Sequence, residues 1–216
     1  MKKIRYLVFD LDGTLIDSSE GVVACVNYSL RKMGQPEQPP ERIKRFIGYQ
    51  LSVMYPEFTD APVDELHAYF REKALEVMVP SAVVLPGVEE TLLRLHEEGY
   101  RMAIASTKIR LHIEGIVHKC GWREMFAARV GGDEVPLEKP APDVFLEAIH
   151  RMGGSRTETL AIGDTINDVL AAQAASLEVC AVESPYEDRA RVEAAKPDHL
   201  IANLAALPGL LDGVRT

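Results

Sequence analysis

Cysteine, long apolar runs and net positive charge are all scarce in this chain, and each shortage excludes a class of protein. The three cysteines, Cys25, Cys120 and Cys180, are odd in number and far apart, which argues against a disulfide framework. No apolar run approaches the length needed to cross a bilayer. Met1-Lys2-Lys3 ahead of an apolar run has the outline of a secretion signal, but the run stops at Asp10 and no small-residue cleavage site follows. The expected location is therefore the cytoplasm. Lysine and arginine number 24 against 33 aspartates and glutamates, a formal net charge of -9. That balance argues against nucleic acid or an anionic membrane as the main partner. Internal repeats and low-complexity segments are absent as well. What is present is ordinary for a globular protein: 216 residues, 47% of them hydrophobic, enough for one large domain or one domain carrying an insertion.

The most informative segment is Ile4-Arg5-Tyr6-Leu7-Val8-Phe9 running into Asp10-Leu11-Asp12-Gly13-Thr14-Leu15. Successive side chains on an extended segment alternate faces, so Asp10 and Asp12 point the same way. Gly13 permits a sharp turn and close approach to a ligand. Two acids held together repel each other unless a cation or a shared proton intervenes. Magnesium fits, since it takes oxygen ligands and is often held by one or two carboxylates plus substrate phosphate. A polar strand end before a turn is the plainer reading of this segment alone.

Strand-like runs recur at about 4–10, 101–106, 127–131, 159–163 and 178–182, each followed by a helical pattern. This alternation predicts an α/β fold with a doubly wound parallel sheet. Val88, Leu92 and Leu95 share one face of a helix that Gly99 stops, and Val144, Phe145, Ala148 and Ile149 line another that ends at Gly153-Gly154. From about 17 to 80 the period is helical throughout, with Val22, Val23, Val26, Leu30 and Met33, then Ile43, Phe46 and Ile47, then Leu66, Tyr69, Phe70, Leu75 and Met78 as apolar positions. We read residues 17–80 as a small helical bundle inserted into a core of residues 1–16 and 81–216, where it could cover a site after the first strand; helices that simply pack on the sheet are the alternative. His112, His118 and Cys120 do not suit a metal cluster at this spacing and are expected to be surface or partly buried residues; the other histidines stand alone.

Three further segments join the first acidic pair: Ala103-Ile104-Ala105-Ser106-Thr107, Glu138-Lys139-Pro140-Ala141-Pro142-Asp143, and Leu160-Ala161-Ile162-Gly163-Asp164-Thr165-Ile166-Asn167-Asp168. In this order the four segments resemble the signature motifs of the haloacid dehalogenase superfamily, and the resemblance spans nearly the whole chain. It implies a Rossmann-like core, a helical cap after the first strand, and a bound Mg2+. Asp10 is then the nucleophile that forms an aspartyl-phosphate. Asp12 is the general acid/base, with its backbone carbonyl on the metal; a second metal carboxylate or a turn cap are the alternatives for it. The dehalogenase branch lacks an acid at this second position, so Asp12 favours phosphoryl chemistry. Ser106 is suited to bind phosphate. Thr107 is the expected N-cap of the next helix, with its backbone N–H, like those near Leu11 and Gly13, suited to a phosphate nest. Lys108 is expected to be solvated. Lys139, kept out of helical geometry by Pro140, neutralises Asp10 and the transferring phosphoryl. Asp164 completes the metal site, and Asp168 either ligates directly, ligates through water, or is a first-turn helix acid.

The reading that follows is a Mg2+-dependent phosphatase acting on a small phosphorylated metabolite, most similar to the phosphoglycolate phosphatase branch. A pyrophosphatase, a phosphomutase similar to β-phosphoglucomutase, and a catalytically idle binding protein on the same scaffold are the alternatives. Arg45, Tyr49 and Gln50, beside Gly48, are the candidate specificity residues of the cap. Neither the substrate nor the oligomeric state is legible.

Overall fold

The computed structural model describes residues 4–215. In chain order it runs β1 (Tyr6–Phe9), β2 (Ile16–Asp17), α1 (Ser19–Lys32), α2 (Pro40–Lys44), α3 (Leu51–Met54), α4 (Val63–Ser81), β3 (Val83–Val84) and α5 (Val88–Glu97). It continues with β4 (Arg101–Ala105), α6 (Arg110–Lys119), β5 (Phe126–Val130), α7 (Asp143–Met152), β6 (Thr159–Gly163), α8 (Ile166–Ala174), β7 (Glu178–Val182), α9 (Arg189–Ala194), β8 (His199–Ile201) and α10 (Leu207–Arg215). Six strands form one parallel sheet in the order β5-β4-β1-β6-β7-β8. This is the doubly wound α/β fold that the alternation predicts.

Alternation along the strands feeds two cores. Leu7 and Phe9 join Met102, Ile104 and Ile162 beneath α5, α6 and α10. Val8, Ala103, Ala105 and Ala161 face the other way, onto α7 and α8. Both faces of the sheet are covered, as a parallel sheet requires. The register sets the site: Phe9 lies opposite Ile104 on one side and Ile162 on the other. Three strands therefore end together, and the residues just beyond them meet at one carboxyl edge. In open α/β sheets that edge, near the switch in strand order, is where ligands bind.

Helices α1–α4 lie between the short antiparallel strands β2 and β3. They share an apolar cluster of their own that includes Val26, Leu30, Ile43, Tyr55, Leu66 and Phe70. The buried stripe differs from the expected one. Leu75 is 67% exposed whereas Ala74 is buried, and Cys25 and Gly21 are buried where Val22 and Val23 are only partly covered. The reason is close packing: a Cβ on Gly21 would meet Ser81 Oγ at 2.4 Å, so small residues occupy the α1–α4 contact and bulk is displaced sideways. Where α4 returns to the core, Lys119 Nζ donates to the carbonyls of Val79, Pro80 and Ala82 at 3.2, 2.8 and 2.7 Å. A cation at a helix C-terminus satisfies carbonyls that have no intrahelical partner. Strand β8 was not anticipated; its three residues are only partly buried, too short a run for periodicity to register.

Candidate active site

Lys139 is the hub of the carboxyl edge. Its ammonium, in a residue only 1% exposed, donates to Asp10 Oδ1 at 2.6 Å, to Asp168 Oδ1 at 2.7 Å and to the carbonyl of Ala105 at 2.7 Å, and it stands 4.8 Å from the centre of the Phe145 ring. All three N–H donors are used, which leaves the ammonium fixed. Burial alone would pull the Lys139 amine down, but Asp10 and Asp168 outweigh it and hold the group above its ordinary range. Burial pushes the Asp10 carboxyl up to about 7, with Lys139 pulling the other way and Asp168 and Asp12 adding to the rise.

Asp164 is fully buried; Thr14 Oγ1 donates to its Oδ1 at 2.8 Å and Ser184 Oγ to its Oδ2 at 2.5 Å. Burial, then Asp168 and Asp10, raise its carboxyl well above the usual range. Gly13 is the reason Asp164 can sit there. Its φ is +91°, and a Cβ built on it would lie 2.2 Å from Asp164 Oδ2. The Gly13 amide donates to the Ile16 carbonyl at 2.8 Å, so the expected use of that N–H on phosphate is corrected: the glycine supplies space and a left-handed turn. Asp168 closes the N-terminus of α8. Its Oδ2 accepts from Thr165 N at 3.0 Å, Thr165 Oγ1 at 2.7 Å and Asp164 N at 3.3 Å, so both of its oxygens are already occupied.

Oxygens of Asp10, Asp164 and Asp168 all lie within 4.8 Å of one another. Three buried carboxylates with one ammonium among them form an oxygen-rich pocket of excess negative charge, which fits a small hard cation. Asp12 stands apart. Its Oδ2 pairs with Lys108 Nζ at 3.2 Å, while its Oδ1 is buried without a hydrogen-bond partner.

Above these groups, between the core and α1–α4, is a cavity of about 340 Å³. Asp12, Thr107, Lys108 and His112 line it from the core, and Gly48, Tyr49 and Gln50 from the inserted helices. Tyr49 donates to Glu187 Oε2 at 2.6 Å, and Gln50 Nε2 to the Lys139 carbonyl at 3.4 Å. A Cβ on Gly48 would come within 2.8 Å of Thr165 Cγ2, so the loop sits directly on the site. Arg45 is exposed and does not line the cavity, so it is not brought to the site with its two neighbours.

In the segment after β4, Ser106 stands at the sheet edge as expected of a strand-end hydroxyl, whereas the expectations for Thr107, Lys108 and His112 are corrected. Ser106 is buried at the edge, its Oγ accepting from Lys108 N at 3.3 Å. Thr107 does not cap α6: Ile109 holds the N-cap position, and Asp133 Oδ1 takes the Arg110 amide at 2.7 Å. Lys108 is not solvated, with only 6% of its side chain exposed, because the helices of the insertion lie over it. His112 is buried rather than superficial. The hydroxyls of Thr14 and Ser184 are further contributors unread in the sequence. Ser184 lies just after the apolar run of β7, the same strand-end signal that singles out Ser106.

The profile of the haloacid dehalogenase-like hydrolase family matches residues 7–182. A phosphoglycolate phosphatase from Agrobacterium fabrum is 30% identical over 214 residues, covering 95% of this chain and 91% of the relative. Pyrophosphatase PpaX from Bacillus cereus is 29% identical over 209 residues, covering 97% of each. The crystal structure of a haloacid dehalogenase-like hydrolase from Bacteroides fragilis superposes with a TM-score of 0.89 at 31% identity, over 95% of this chain and 100% of that one. With four motif segments meeting at one sheet edge and a family match across most of its length, this chain is an enzyme that belongs to the haloacid dehalogenase-like hydrolase family.

Proposed function

We propose that this enzyme is a Mg2+-dependent phosphatase that hydrolyses a small-metabolite phosphate monoester through an aspartyl-phosphate, with residues 17–80 as its cap. The observation that carries the reading is the pair of acids at the end of β1. Asp10 is clamped by Lys139, and Asp12 presents to the cavity a buried oxygen that has no hydrogen-bond partner among the described residues. An unmade hydrogen bond of this kind is costly, and a ligand oxygen there would make it. The likenesses to a phosphoglycolate phosphatase and a pyrophosphatase support phosphoryl transfer as the chemistry.

In this mechanism an Asp10 carboxylate oxygen attacks phosphorus as the bond to the ester oxygen breaks, and Asp12 delivers its proton to the departing alkoxide. Asp12, now ionised, takes a proton from water; the water oxygen bonds to phosphorus, the Asp10–phosphorus bond breaks, and phosphate leaves. Splitting one displacement into two lowers each barrier. Lys139 holds Asp10 in place and offsets charge near the phosphoryl group, and Ser106 lies at the same edge to bind a phosphoryl oxygen. Asp10 and Asp164 would hold Mg2+ with the Asp12 carbonyl, and Asp168, whose oxygens are taken, would support them through Lys139. When bound, the metal supplies positive charge at the phosphoryl oxygens. Tyr49 and Gln50 close the cavity over the reacting group and exclude water.

Phosphate release from p-nitrophenyl phosphate, 2-phosphoglycolate, pyrophosphate, nucleotides and hexose phosphates tests the proposal. Release from at least one of them is expected with Mg2+, none in excess chelator, and recovery when Mg2+ is restored. Full activity in chelator, or no release from any ester, would contradict it. A hexose phosphate isomerised without phosphate release would identify a mutase instead.

A thermal prediction follows from the acids. Asp10 at about 7, with Asp164 also raised, binds protons in the folded state at pH values where an unfolded carboxylate, near 4, has lost them. Between those values the metal-free protein binds more protons folded than unfolded, so its stability falls as pH rises through this window. Mg2+ needs the ionised carboxylates. Its addition should therefore raise the melting temperature more at pH 8 than at pH 5; an equal or smaller gain at pH 8 would refute this assignment of the metal ligands.

A further inference from the structure

Among the described residues, four buried side-chain polar atoms have no hydrogen-bond partner: Asp12 Oδ1, Ser18 Oγ, His67 Nε2 and His112 Nε2. Asp12, His67 and His112 all line the cavity above the site. Unsatisfied polarity is thus concentrated where a ligand would lie. Asp12 Oδ1 is explained by the leaving oxygen; His112 Nε2 has no use in the mechanism above.

His112 is 6% exposed. Burial first, and then the charge of Lys108, lower its imidazole to about 4, so near neutrality it is an uncharged ring able to donate one N–H. Lys108 is also incompletely used. Its ammonium carries three donors, yet it contacts one carboxylate oxygen, Asp12 Oδ2, and one weak acceptor, the thioether of Met78 at 3.6 Å. A cation of this kind, its side chain 6% exposed, has unspent capacity directed at the cavity it lines. The acids on the same wall do not absorb it. Asp133 is turned to the Arg110 amide, and the Glu138 carboxyl is pushed up by burial and by Asp133.

We propose that Lys108 and His112 form a subsite for a second anionic group of the substrate, a carboxylate or a second phosphoryl carried within two bonds of the ester oxygen. This rests on the phosphatase reading above and narrows its substrate class. The spacing follows from Asp12. The general acid must lie about 3 Å from the oxygen it protonates, and Lys108 lies 3.2 Å from the same carboxylate. A group reaching Lys108 is therefore close to the ester linkage, and long-chain or simple alkyl esters place nothing there. Paired recognition by a cation and a neutral N–H donor, both shielded from water, is strong because an analogue lacking the anion leaves both donors unpaired.

Binding of non-hydrolysable analogues to the Mg2+-loaded protein tests this without turnover. The probes are 3-phosphonopropanoate, methylenediphosphonate and propylphosphonate, followed by titration calorimetry. At least one of the two analogues with a second anionic group is expected to bind about 10-fold or more tightly than propylphosphonate, and which one does so separates the carboxylate from the second phosphoryl. Lys108→Met and His112→Ala should each shrink that preference to within about two-fold, while Lys108→Arg and His112→Gln, which keep a cation and an N–H donor, should retain a measurable part of it. Equal binding of all three analogues, or a preference undiminished in both truncated variants, would overturn the subsite. Failure to bind any of them by a protein that still hydrolyses p-nitrophenyl phosphate would overturn the subsite and leave the phosphatase reading standing. A retained preference in a protein that hydrolyses no ester would sustain the subsite and reject the phosphatase reading.

Discussion

Asp10→Asn is expected to lower turnover by about 10⁴-fold or more, since a residue that forms the covalent intermediate acts as a unit with its partners and has no substitute. An amide oxygen is a poor nucleophile and a weaker metal ligand. The fold should survive, because Lys139 keeps its bonds to Asp168 and to the Ala105 carbonyl, and one of three crowded carboxylates has been neutralised. Without metal the variant should melt at or above the wild-type temperature at pH 8, where the native Asp10 is largely ionised despite its burial, the main cause that raises its carboxyl. Steady-state phosphate release, with circular dichroism to verify folding, measures both effects. A variant retaining more than about 1% of wild-type kcat, with contaminating phosphatase excluded, would remove Asp10 from the nucleophile's role.

Lys139→Met should damage both stability and activity, and its stability loss should depend on pH. Removing one partner of a buried ion pair commonly costs about 3–5 kcal/mol, because the remaining charge is left uncompensated. Here two carboxylates lose their ammonium. Lys139 is what pulls the Asp10 carboxyl down against burial, so without it that carboxyl rises further and stays protonated over a wider range. The folded variant then binds protons that the unfolded chain has released, and its stability falls as pH rises above the ordinary carboxylate range. Urea unfolding should show a deficit near the quoted size at pH 8 and a clearly smaller one at pH 5. Equal deficits at the two pH values would mean that Lys139 contributes through packing on Phe145 rather than through charge.

The parts of this enzyme legible in the sequence are those whose signal is local. An apolar run ending in an acid or a hydroxyl states both the strand and the group at its end. Asp10, Ser106 and Asp164 could therefore be located from their own neighbourhoods, and parallel pairing brings such ends to one edge. Helices α5 and α7 were legible for the same reason, with one bulky face and a glycine stop. The stripe of α4 was misread because Gly21 and Ala74 pack where periodicity assigns larger residues.

The sequence by itself determined the alternation of the sheet's strands with helices as far as β7, the acidic pair, the lysine before the proline and the family they resemble. Only the tertiary structure decided which of these groups meet and which polar atoms are left without partners. Lys139 reaches Asp10 across 129 positions and Ser184 reaches Asp164 across 20; pairings at such separations depend on strand order and register, which no local window contains. Lys108 and His112 look like surface residues in the sequence, since a charged or polar side chain after a strand is usually solvated. They are buried because helices earlier in the chain, among them α4 with Met78 30 positions before Lys108, fold back over them. Burial is a property of what lies above a residue, and that is set by the packed chain.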